Sequence, residues 1–221
     1  MGQGLDSDVG HASNGHVWEL SVKLFKFCFV DIETTGLDPS KHEMTQFACV
    51  TVRDGQIVSE INKKIKPQKL ENASPKALQI SGYSDEAWAD AAPIGDCVED
   101  IYSAIRGRIF VAHNASFDYS FLHKAFTDAG MVMTRPAYFM SIDTMGLAHA
   151  NLEPFGLENL KLKTVCEFLN IPNEGAHDAL VDAHRCRLVF DKIYRPSLID
   201  KAKWSITGAR HILKRRLIES L

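Results

Sequence analysis

No stretch of this 221-residue chain approaches the ~20 consecutive apolar residues that a membrane-spanning helix needs, so no membrane partner is expected. Cysteine is scarce and scattered. Cys28, Cys49, Cys97, Cys166 and Cys186 are odd in number and form no C-x-x-C pair. That argues against a disulfide framework or a thiolate zinc site, and for buried, reduced thiols in a cytoplasmic protein. The opening residues, MGQGLDSDVGHASNGH, contain no apolar segment of the kind a secretion signal requires. A strong charge of either sign is also missing. The net charge of −3 gives no bulk sign of a polyanionic partner. The balance is uneven, however: residues 192–221 carry eight Lys/Arg against two Asp/Glu, a net of +6, which leaves −9 for the remainder.

What is present is an ordinary globular composition, 45 % hydrophobic, in a chain long enough to bury a full core. Residues 1–20 read as a flexible arm, 21–195 as the folded domain and 196–221 as a basic helical tail set off by Pro196. Five segments read as strands: 25–32, 47–52, 57–65, 108–113 and 138–144. Asp54-Gly55 marks a hairpin between the second and third. Helices are expected over 75–80 behind a Ser74 cap, over 93–105, 117–129 and 157–169, and over 178–193. Strands come first and then alternate with helices. The expected class is α/β, a central mixed five-stranded sheet flanked by helices.

The first strand ends in DIETTG. Asp31 and Glu33 are two residues apart and share one face, roughly 7 Å apart at about 3.3 Å per residue. A strand end entering solvent would explain both acids. Two carboxylates held close nevertheless repel unless a cation lies between them, and an all-oxygen donor set suits Mg²⁺ or Mn²⁺. Further acids should then converge on the pair. Asp118 lies in the first turn of a helix after VAHNAS, where plain dipole compensation competes as an explanation. Asp182 lies inside a helix rich in Ala, Leu and Val, where propensity does not explain it, whereas Asp178 reads as that helix's N-cap.

Together, DIETTG, HNASFD and HDALVDA resemble the three motifs of the DEDDh (DnaQ-like) 3′→5′ exonucleases. That branch includes the proofreading epsilon subunit of bacterial DNA polymerase III, ribonuclease T and oligoribonuclease. The sister branch carries a Tyr where this chain has Asp178. The resemblance spans about residues 24–193 and is nearest to the epsilon-like members. It implies an RNase H-like fold and two divalent cations, Mg²⁺ or Mn²⁺, held by Asp31, Glu33, Asp118 and Asp182, with His177 as the general base. An imidazole of ordinary pKa near 6.5 suits that task. The resemblance further implies that Thr34, Thr35 and Gly36 meet the terminal nucleotide and that Phe117 stacks near the bases. Core packing is the competing role for Phe117. His113 and Asn114 are expected among the substrate-binding residues, with His113 orienting the Asn114 loop.

The activity so implied is release of nucleoside 5′-monophosphates from single-stranded DNA 3′ ends, in proofreading or end trimming. RNA trimming uses the same motifs, because the 2′-OH is read outside them. A catalytically weak binding module or polymerase-associated subunit is the reading from another class. The basic tail has three open roles: packing on the domain, gripping nucleic acid, or docking a DNA polymerase or a second copy.

Overall fold

The computed structural model describes residues 26–131, 140–175 and 177–219. The arm expected over 1–20, Phe25 and residues 138–139 of the fifth expected strand lie outside them. The sheet has six strands rather than five, in the order β4-β3-β2-β1-β5-β6. They are β1 (Lys26–Thr34), β2 (Met44–Arg53), β3 (Gln56–Lys66), β4 (Ala92–Pro93), β5 (Ile109–Ala112) and β6 (Ser141–Asp143). The strand absent from the sequence reading is β4. Its two residues pair in parallel with Ile65 and Lys66, too few for any periodicity to register.

β1 lies inside the sheet, antiparallel to β2 and parallel to β5. The hairpin turn between β2 and β3 has positive φ at both Asp54 (54°) and Gly55 (75°), the geometry that Asp-Gly favours. The helices are α1 (Pro75–Ser81), α2 (Ile94–Ile105), α3 (Ala115–Asp128), α4 (Thr144–Leu152), α5 (Leu162–Phe168), α6 (Ala179–Ile193) and α7 (Leu198–Glu219). Ser74 caps α1 through its hydroxyl, with proline at N1, and Gly82 ends the helix at φ 64°.

One expected helix is corrected. Residues 157–161 are not helical, and α5 occupies only the second half of the expected 157–169. A further helix, α4, fills residues 145–152, assigned to no element, and takes Thr144 from the end of the expected strand 138–144. Gly146 lies in its first turn, and its apolar residues draw no stripe, so sequence periodicity is silent there.

Alternation along β1 divides the core. Cys28, Val30 and Ile32 pack with α2 and α3, including Ile101, Ile105, Phe121, Leu122 and Phe126. Phe27 and Phe29 face α6, against Ala179, Ala183, Cys186 and Phe190. A third cluster joins α4, α5, α6 and α7, and Trp204 of α7, 6 % exposed, belongs to it. All five cysteines are buried and unbridged. Among the described residues, no helix is long and apolar enough to cross a membrane.

Candidate active site

Asp31 and Glu33 continue the face of Phe27 and Phe29 where β1 leaves the core. That face meets the N-terminal end of α6, so the two acids point to where Asp182 sits, 9 % exposed. Asp118, 3 % exposed, comes from the first turn of α3. The loop before α6 supplies His177. It is exposed and adopts φ 69°, left-handed backbone that Gly175 shares at φ 73°. Ligand atoms of Glu33, His177 and Asp182 all lie within 4.8 Å of one another.

Asp182 also organises that loop. Its Oδ2 accepts the backbone N–H of His177 at 3.0 Å, and its Oδ1 takes the Arg185 guanidinium at 2.5 Å. Asp178 caps α6, as its position in the sequence implies, accepting from the N–H groups of Leu180 and Val181.

The electrostatics follow from crowding acids together. Burial pushes the Asp31 carboxyl well above the usual carboxylate range, and Asp118, Asp182, Glu33 and Asp178 push it further. Glu33 rises to about 7, from burial first and then from Asp182 and Asp178. Burial also raises Asp118, partly opposed by backbone N–H donors and reinforced by Asp143 and Glu33. Arg185 is the one buried cation bonded to the four acids among the described residues. A concentration of carboxylate oxygens with an imidazole at its edge fits hard divalent cations, which would relieve the repulsion that the pKa shifts record.

The remaining expected residues have clear places. Thr34 Oγ1 donates to the Gly36 carbonyl at 2.7 Å. Thr35 clamps Glu43 twice, through its N–H (2.8 Å) and through its hydroxyl, which accepts the Glu43 N–H at 2.9 Å. Gly36 is required by the protein itself, because a Cβ there would overlap the His42 ring. Both ring nitrogens of His113 are engaged internally, with Thr144 Oγ1 at 3.0 Å and the Leu160 carbonyl at 2.7 Å. That makes His113 a strut rather than a group offered to a ligand. Asn114 precedes α3 at φ 73°. Phe117 is partly buried against the first core cluster, its ring 5.1 Å from that of Phe121.

Two residues that shape the site were not singled out from sequence. Asp143 ends β6 and accepts N–H groups from Asn114 (3.0 Å), Ala115 (3.2 Å) and Met145 (2.8 Å), tying the start of α3 to the sheet. Arg185 does the same for the His177 loop. Its (i, i+3) spacing from Asp182 was the available signal.

Comparison with known proteins agrees with this geometry. The exonuclease family RNase_T matches residues 28–190. The PolC-type DNA polymerase III of Thermotoga petrophila is 33 % identical over 187 residues, 84 % of this chain and 13 % of the polymerase. The 3′-5′ exonuclease DinG of Bacillus subtilis is 30 % identical over 169 residues, 76 % of this chain and 17 % of DinG. The chain thus spans under a fifth of the length of these relatives. Among solved structures, E. coli exonuclease I in complex with a dT13 oligonucleotide superposes with a TM-score of 0.67 at 19 % identity, over 76 % of this chain and 41 % of that one. The fold is therefore the RNase H-like exonuclease fold. With its motifs in order and the family matched over most of its length, the chain belongs to the RNase_T exonucleases, the DnaQ-like group.

Proposed function

We propose that the chain is a divalent-metal-dependent 3′→5′ exonuclease that removes nucleoside 5′-monophosphates from single-stranded DNA ends, in proofreading or end trimming. The observation that carries this reading is the convergence of Asp31, Glu33, Asp118 and Asp182 at one strand end, with exposed His177 beside Glu33 and Asp182. Two cations, Mg²⁺ or Mn²⁺, would be held by the four carboxylates and would supply charge neutralisation at the phosphate and a more acidic water. By the family resemblance, Asp31 would serve both, Glu33 and Asp182 would hold the one next to His177, and Asp118 would hold the other. His177 accepts the proton of the attacking water. By the family resemblance, the Thr34–Gly36 backbone would border the terminal nucleotide and Phe117 would stack near the terminal bases. The name DNA polymerase III among the relatives favours DNA over RNA and a role in replication, and a cytoplasmic setting fits that reading. Docking to a polymerase, or pairing with a second copy, falls to α7, which exposes Ile199, Ile206 and Leu213.

The test uses 5′-labelled single-stranded DNA and RNA of matched sequence with Mg²⁺, Mn²⁺ or EDTA, beside Asp182→Ala. A ladder shortening from the 3′ end, dependent on metal, absent in the variant and faster on DNA, is expected. Faster RNA shortening would transfer the assignment to an RNA-trimming enzyme. No cleavage of either strand would leave a binding module or partner-dependent subunit.

A further inference from the structure

An acidic catalytic cluster repels the strand it is to cut, yet a cationic surface lies next to it. A cavity of about 110 Å³ opens where the Ser40–Met44 segment meets the end of β3, the start of α2 and the middle of α3. Its floor is apolar: Met44, Ile65 and Phe121 are 5, 1 and 3 % exposed. Its rim carries Lys41, Lys66, Lys69 and Lys124. Two of these are matched, Lys41 by Asp38 at 3.3 Å and Lys124 by Asp128. The rim acid Glu43 is occupied with backbone, its Oε2 accepting the N–H groups of Gln68 (2.8 Å) and Lys69 (2.7 Å). Lys66 and Lys69 make no ion pair among the described residues.

Part of the cavity's rim shares α3 with Asp118. Lys124 follows Asp118 by six residues on α3, about 9 Å at 1.5 Å per residue. That rise alone corresponds to about one to three nucleotides of a strand advancing 3.4 Å or more per nucleotide. The Thr35–Glu43 clamp fixes the rim to the end of β1. We infer that this cavity binds the part of a single-stranded nucleic acid lying 5′ of the bond to be cut, with backbone phosphates at Lys66 and Lys69 and a base against the apolar floor. The inference rests on the exonuclease reading for the direction of the strand. Sequence-tolerant contact of a base with an apolar surface, flanked by cations, is the usual way a single strand is held without base readout.

The experiment measures binding of 5′-fluorescein-dT20 by anisotropy in EDTA, which needs no catalysis, for the wild type, Lys66→Glu/Lys69→Glu and, as a second basic surface, Lys201→Glu/Lys203→Glu on α7. The expected result is at least tenfold weaker binding for the first variant only. Its log–log salt dependence should be shallower by about 1.4, from two lost phosphate contacts at about 0.7 each. Where the wild type hydrolyses DNA, the rise in KM should grow with length from a dinucleotide to dT20. Unchanged dT20 binding in the first variant, or loss confined to the α7 variant, would overturn the inference. Wild-type binding without hydrolysis would instead count against the exonuclease reading and leave the cavity's role standing.

Discussion

The Arg185 guanidinium and the Asp182 carboxylate form a buried ion pair at 2.5 Å, with side chains 4 and 13 % exposed. Arg185 spends its other donors on the carbonyls of Pro172 (3.2 Å) and Glu174 (2.6 Å). Asp182 turns its second oxygen to the His177 N–H. One side-chain pair therefore holds α6 to the loop carrying the proposed base. Arg185→Met should cost about 3–5 kcal/mol, as breaking a buried pair does, and should depress kcat. Arg185→Lys should recover little, because a point-like ammonium cannot span three acceptors. Urea melts and kcat measured side by side check both expectations.

Stability should depend on pH in a direction set by Glu33. Its pKa is about 7 in the folded chain against an ordinary 4.5. Between those values the folded state binds more protons than the unfolded state, so stability falls as pH rises through that window. Asp31 and Asp118 are shifted the same way and add to the fall. Without divalent cations, Tm should decline from pH 4.5 to 7. Mg²⁺ should raise Tm more at pH 8 than at pH 5, and Glu33→Gln should flatten the profile. Scanning fluorimetry with and without EDTA reads all three.

His177→Asn removes the imidazole but keeps a residue that tolerates left-handed backbone. Loss of a general base predicts a fall in kcat of about 10²–10⁴-fold. Binding of dT20 and Tm should be preserved. Retained kcat in a pH–rate series would remove His177 from the chemistry.

Gly208 of α7 packs so closely on the Phe155 carbonyl that an added Cβ would overlap it. Gly208→Ala should therefore lift α7 from the Glu153–Phe155 turn and cost about 1–3 kcal/mol, the usual penalty of overpacking. Trp204, packed edge-on to Phe155 with centroids 5.9 Å apart, reports the event. Acrylamide quenching in a background where Trp204 is the sole tryptophan should increase.

The sequence spoke most clearly where chemistry and period agree. In β1, a continuous apolar run leads straight into two acids spaced two residues apart, so both strand and site were readable. The N-cap role of Asp178 was equally plain from its place before an apolar run. Legibility failed where a residue acts at long range. Asp143 was expected only as part of the strand 138–144, and only the fold shows that it caps α4 and also accepts the N–H groups of Asn114 and Ala115, which are 29 and 28 residues away. His113 looked like a site residue because of its neighbours, and its partners Thr144 and Leu160 lie too far along the chain to foresee. Gly36 was expected to admit a ligand, and in the structure the His42 ring packs against it.

β1 is paired along both edges, with Asp31 opposite Ala48 and Phe29 opposite Val111. A slip of one residue would turn Phe27 and Phe29 out of their cluster and carry Asp31 and Glu33 to the apolar face of α2 and α3. Foldability and reactivity are thus inherited as one trait. An insertion or deletion in this strand eliminates both together. Within this strand, only exchange of the acids themselves would remove the acid cluster and leave the register intact.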